Sequence, residues 1–256
     1  MTHAIEPANL HEISWQTTLF LRHNAPTEWA YLLDTGIQFL LPDEVIKKSN
    51  KERATFLARA EADRIRAGEL YYIDTEVTDE VTGSGPLLGG IHVLSADMLP
   101  SPSGLMLWSR DVSATMSGLP IIACSWGQHG DGVWVSWWSD AVAAAEAFVA
   151  SGTHTPEQAH AYLSGHGVLA FERERFLPYG VGFRQAQARE GESATTMVEA
   201  LTETTITTWA LIATQRVEVV DIHPERHVKR RLERDGLTVG PVHHITGLRP
   251  EKPAAE

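Results

Sequence analysis

Cysteine is almost absent from this 256-residue chain: Cys124 is the only one, so no intramolecular disulfide can form. It lies within the apolar run IIACSW, which predicts a buried thiol rather than a reactive one. Long hydrophobic runs are also missing. No stretch approaches the roughly 20 apolar residues that a membrane span requires. The N-terminal MTHAIEPANLHEISW has neither a basic leader nor an apolar core. No membrane partner and no secretory signal are expected, and a cytoplasmic location is. Positive charge is scarce, with 21 Lys and Arg against 33 Asp and Glu for a net charge of −12. Such a body cannot wrap DNA with its whole surface, because phosphate contacts need a basic face. A protein partner, a small ligand or a local basic patch stay compatible with it. Finally, the chain has no G-x-x-x-x-G-K, no G-x-G-x-x-G and no G-x-S-x-G. No catalytic residue and no cofactor are assigned.

What is present begins with a strand-rich block from Leu70 to Ser139. It reads LYYIDTEV, LLGGIHVLS, GLMLWS, LPIIACSW and GVWVSWWS, each run bounded by Gly, Pro, Ser or Asp. Helical patterns lie mostly before and after it. The expectation is an α+β fold with a central, mainly antiparallel sheet of about five to seven strands and helices packed against it. One domain over residues 1–249 and a disordered tail over 250–256 are expected.

Before the block, Thr27 is read as capping a short helix with Trp29, Leu32 and Leu33 on its buried face. A longer helix follows, capped by Ser49 or Asn50 and ended by Gly68. Phe56, Leu57, Ala60 and Ile65 form its inner side, and Lys51, Arg53, Arg59, Glu61, Asp63 and Arg66 its solvated one. Residues 1–25 are weakly patterned, and DEVTGSGP and 96–104 read as loops. After the block, Asp140 opens an alanine-rich helix, and Thr155-Pro156-Glu157-Gln158 starts another with a capping box. FERERFLPYGVGF is ambiguous. A threonine-rich helix reaches about Gln215 with Met197, Leu201, Thr205, Thr208 and Ile212 on one face, and its low intrinsic propensity implies that packing holds it. VEVVDI and VHHITGL read as closing strands around HPERHVKRRLERDG.

Three groups of residues invite a functional reading. From His223 to Arg234 the chain carries Arg226, Lys229, Arg230, Arg231 and Arg234 against Glu225 and Glu233, a local +3 that leaves −15 for the remainder. Pro224 opens this helix, Gly236 ends it, and Val228 and Leu232 give it a thin apolar stripe. A basic helix on an acidic body suits phosphate, RNA or an acidic partner, and guanidinium groups fit phosphate and carboxylate alike. The alternative is a solvated helix whose arginines pair with the protein's own carboxylates. Trp126, Trp134 and Trp137 form the second group. Alternation puts Trp134, Ser136 and Trp138 on one face and Val133, Val135 and Trp137 on the other, as a sheet covered on both sides requires. The sharper alternative is an aromatic surface for a partner, at the glycine-rich turn after Trp126.

The third group is Asp221, His223, His227 and His243, the spacing nearest to a metal set. Pro224 separates the two spaced histidines, and adjacent strand residues such as His243 and His244 point to opposite faces, so no metal site is assigned. Asp74 and Glu76 are read as two carboxylates on one strand face, a pattern commoner at exposed strand ends than in catalysis.

The order YYIDTEV, LLGGIHVLS, GLMLW and then TTWALIATQRVEVVDIHPERHVKRRLERDG with VHHITGL resembles a diffuse family of phage and mobile-element proteins. That family shares a Y-[IV]-[DE] strand, a G-[FIW]-x-V strand, and a late helix before an R-x-x-R-x-G segment and a final strand. It includes an anti-CRISPR protein acting against type V-A systems through the nascent peptide of their nuclease. The resemblance covers about 70–110 and 205–248. It implies a non-enzymatic, anti-CRISPR-like binding protein that engages a protein or nascent peptide, or a ribonucleoprotein. A metal-dependent hydrolase or nuclease and a structural or assembly protein are the rival expectations.

Overall fold

The computed structural model describes residues 5–36, 39, 41, 43–83, 93–112, 120–180 and 195–249. The chain enters through α1 (Leu10–His23), α2 (Ala25–Asp34), the single turn α3 (Asp43–Ile46) and α4 (Asn50–Ala67). β1 (Glu69–Ile73), α5 (Thr75–Gly83), β2 (Ser103–Trp108), β3 (Ile121–His129) and β4 (Gly132–Asp140) follow. Next come α6 (Ala141–Ala150), α7 (Pro156–His166), β5 (Leu169–Pro178) and α8 (Thr195–Ala213). The chain closes with β6 (Val217–Ile222), α9 (Arg226–Arg234) and β7 (Val242–Leu248).

The seven strands of the described residues form one sheet in the order β5-β4-β3-β2-β1-β7-β6. β1 runs parallel to both β2 and β7, and the other four pairings are antiparallel. The fold is therefore α+β around a mixed, mainly antiparallel sheet. The β3–β4 hairpin turns at Gly130 and Asp131, where Gly130 takes a φ of 58° that side chains disfavour.

Two apolar layers sandwich the sheet. On one face Tyr71, Ile73, Met106, Trp108, Cys124, Trp126, Val135 and Trp137 pack with Leu201, Ile206 and Trp209 of α8. On the other, Leu70, Tyr72, Leu105, Leu107 and Trp138 meet α1, α2 and α4 through Leu10, Phe20, Trp29, Leu57 and Ile65. Cys124 is fully buried, and that burial drives its thiol well above the ordinary range.

The threonines of α8 explain how a weak helix former is held. The Thr205 hydroxyl donates to the Leu201 carbonyl (2.7 Å) and accepts from the Trp137 indole N–H (3.0 Å). Thr208 does the same between the Thr204 carbonyl (2.8 Å) and Trp108 (3.3 Å). A buried indole N–H needs a partner, and these hydroxyls supply it from the covering helix. Of the residues expected on this face, Leu201, Thr205 and Thr208 are buried and Ile212 is half-buried.

Helix starts follow their capping chemistry. Ser49 and Thr155 each form a capping box, with Glu52 and Gln158, and the Asp140 carboxylate accepts from the Val142 and Ala143 N–H groups at 2.8 and 3.2 Å. Other expectations need correction. The strand read through LYYIDTEV stops at Ile73. Asp74 Oδ1 accepts the Thr75 N–H (2.9 Å), and Thr75–Gly83 is helix α5 rather than strand and loop. Asp74 and Glu76 thus share no strand face. The helix assigned to a Thr27 cap begins at Ala25, with Pro26 in its first turn. The weakly patterned N-terminus contains α1, whose buried side includes His11, Ser14, Thr17 and Thr18 and so lacks a plain apolar stripe. FERERFLP resolves as part of β5, an edge strand. Most of LLGGIHVLS, the segment YGVGF beyond Gly180 and the tail 250–256 lie outside the described residues.

The largest correction concerns Glu61. Assigned to the solvated side of α4, it is 1% exposed. Its carboxylate accepts from Ser125 of β3, from Ser136 of β4 (3.1 Å) and from Arg64 one turn on. Ser125 in turn accepts from the Trp138 indole at 2.8 Å. A polar network therefore pins α4 to the hairpin through an otherwise apolar interface. Phe56, expected inside, is exposed.

Candidate anionic-partner surface

α9 lies between the last two strands and, among the described residues, is held from one side. Leu232 is fully buried, and Gly236, with a φ of 80°, ends the helix by donating its N–H to the Glu233 carbonyl at 3.1 Å. Arg66 of α4 donates to the Gly236 carbonyl, and the His11 ring bonds the Gly240 carbonyl at 2.9 Å. Burial lowers the His11 pKa, and neighbouring His223 lowers it further. Arg231 lies on the side of α9 toward α1 and is partly exposed. It pairs with Glu12 of α1, and its guanidinium carbon lies 5.2 Å from the Trp15 ring centroid. Arg231, expected to face a partner, is thus engaged by Glu12 while 42% of its side chain stays exposed.

The opposite side of α9 is exposed. Lys229 has Glu233 at 3.8 Å, and His227 has Glu225 at 3.1 Å. Arg226, Arg230 and Arg234 have no carboxylate partner among the described residues and, with Glu225, His227 and Glu233, line a shallow open surface. Spaced four residues apart, they form a stripe about 12 Å long at 1.5 Å rise per residue. Three guanidinium groups without an ion pair among the described residues outnumber Glu225 and Glu233 on this surface, a local electrostatic contrast on a chain of net charge −12.

No family model, curated protein or solved structure matches the chain. Among the described residues, no helix is long and apolar enough to cross a membrane.

The remaining candidates are arranged differently from the expectation. Trp126 and Trp137 are fully buried, donating their indole N–H groups to the Ser101 carbonyl (2.9 Å) and to Thr205 (3.0 Å). They have no face to offer a partner, because the sheet carries a layer on each side. Trp134 alone keeps partial exposure, at the hairpin end between His129 and Phe176.

The four metal candidates separate. His227 stands on α9, and His223 precedes it near His11. Asp221 and His243 do meet, on paired residues of β6 and β7, with Asp221 Oδ1 at 2.7 Å from His243 Nδ1. The other ring nitrogen faces Glu69 of β1 at 3.5 Å, and Glu69 accepts the Tyr71 hydroxyl at 2.5 Å. Burial first, then this bond to Glu69, raises the Tyr71 pKa. The two carboxylates lie on opposite nitrogens of one imidazole and do not converge on a common point. Among the described residues, no group of three or more His, Cys, Asp or Glu side chains is placed to hold a metal. The row Tyr71–Glu69–His243–Asp221 needs the β1–β7–β6 order, which no local pattern reveals. Glu61 did leave a signal: it lies four residues after Leu57 and four before Ile65, on the inner stripe of α4.

Proposed function

We propose that this chain is a non-enzymatic binding protein whose α9 receives the phosphate backbone of an RNA, alone or within a ribonucleoprotein. One observation carries the reading: Arg226, Arg230 and Arg234 stand in line on an exposed helix face with no carboxylate partner among the described residues. Guanidinium groups engage phosphate oxygens in pairs, and neutralising three phosphates releases their counterions. Leu232, Val228 and the Arg231–Glu12 pair hold the helix while its outer side stays available. Trp134 is the one candidate aromatic left with surface for a base or side chain. The resemblance to phage and mobile-element proteins supports binding over catalysis, and its anti-CRISPR member suggests the expression machinery of a type V-A system as the setting.

The test is fluorescence anisotropy with a single-stranded RNA oligonucleotide at low salt, comparing the native chain with R226E/R230E/R234E. Capture by the native chain and its loss in the variant are expected. Equal binding by both, or none by either, would remove the proposal. An acidic peptide run in parallel distinguishes phosphate from carboxylate recognition.

A further inference from the structure

The two edges of the sheet are not alike. β5 closes one side with Glu172, Arg173, Glu174 and Arg175 along its middle, and no residue of that strand is exposed. Charged residues on an edge are a common guard against further pairing. β6 closes the other side with VEVVDI, and its four central residues are all exposed. Val219 and Val220 are 44% and 51% exposed, one on each face of the sheet. Its only charges are Glu218 and Asp221, and no Lys, Arg or Pro interrupts the strand. The pairing irregularity beside it inserts Thr246 into β7, since Glu218 pairs with Gly247 and Val219 with Ile245. The β6 backbone itself stays regular. β7 is its only substantial neighbour among the described elements. Every second residue of such an edge aims its N–H and C=O outward.

We propose that β6 pairs antiparallel with β6 of a second copy of this chain, joining two sheets across a two-fold axis at Val220. The strand is complementary to itself in that register. Val220 meets Val220 of the second copy, Val219 meets Asp221, and Glu218 meets Ile222, so no two like charges stand opposite each other. Shifting the axis to between Val219 and Val220 would set Glu218 against Asp221, which is unfavourable. In this register Glu218 and Asp221 each face an uncharged residue of the second copy, so the two acidic strands meet without opposed carboxylates. The pairing uses only β6 and leaves Arg226, Arg230 and Arg234 out of it, so it does not depend on the function proposed for α9.

A six-residue strand edge is a small interface, and association in about the micromolar range is expected. Sedimentation of the full chain over roughly a hundredfold concentration span around that range reads it directly. The expected result is a shift from 28.2 kDa to twice that mass. V220K should sediment as a monomer throughout with an unchanged circular dichroism spectrum, because Val220 supports no buried contact. V149K, at an exposed valine of α6, should dimerise like the native chain. A native chain that stays at 28.2 kDa overturns the proposal, and so does a dimer that V220K leaves intact.

Discussion

Replacing Glu61 by Ala is expected to cost more stability than any other single change to a charged residue of α4. The carboxylate is buried, and three donors converge on it: the Ser125 and Ser136 hydroxyls and the Arg64 guanidinium. Hydrogen bonds to a charged acceptor contribute about 1.5–3 kcal/mol each when intact. Removing one partner of a buried ion pair costs about 3–5 kcal/mol, because the other charge is left uncompensated. Arg64 keeps a 21% exposed side chain and can turn partly toward water, which favours the lower part of that range. A loss of about 3 kcal/mol corresponds to a melting temperature lower by roughly 10 °C in a chain of this size. Asp63, two positions along and exposed, should lose no more than about 0.5 kcal/mol when changed to Ala. E61L/S136A, which removes an acceptor and one of its donors together, should recover part of the loss. Urea denaturation followed by tryptophan fluorescence measures all three. An E61A variant within about 1 kcal/mol of the native chain would refute the network's role in joining α4 to the hairpin.

Four further outcomes follow from the packing. T205V keeps the shape of α8 but leaves the buried Trp137 N–H without its acceptor, for an expected loss of about 1–3 kcal/mol by the same denaturation assay, whereas T205S should lose less. In G104A the new Cβ would lie 2.5 Å from the Trp126 ring, and overpacking of about 1–3 kcal/mol is expected from thermal melting. The burial-lowered pKa of His11 means that the unfolded chain binds a proton more readily than the folded one. Its stabilising share is complete above 6.5 and is lost as pH falls from there through the folded value, so H11N should flatten stability in that window. Cys124 should resist a thiol reagent at mildly alkaline pH in the native chain and react once urea unfolds it; prompt native labelling would contradict its burial.

Local chemistry was legible where it is decided locally. Ser49, Asp140 and Thr155 cap as their side chains dictate, and alternation in GVWVSWWS assigned Val135 and Trp137 to one face and Ser136 and Trp138 to the other. One local signal was missed: Thr75 and Val77 look strand-forming, yet they open a helix right after Asp74. What depends on distant partners was not legible. Glu61 and Arg231 look solvent-seeking, yet Ser125 with Ser136 and Glu12 with Trp15 receive them. The arginine stripe was readable because three residues at i, i+4 and i+8 share a side of any helix. Which arginines were already used was not, since Glu12 lies 219 residues away from Arg231.

The most direct measurement on the central claim is the salt dependence of RNA binding by the native chain. Three phosphate contacts by Arg226, Arg230 and Arg234 give a slope of log K against log salt of about −2, roughly a twentyfold weakening from 50 to 200 mM. A slope near that value, falling toward zero as the three arginines are removed, is the expected result. Binding indifferent to salt, or a slope that the substitutions leave unchanged, would contradict it.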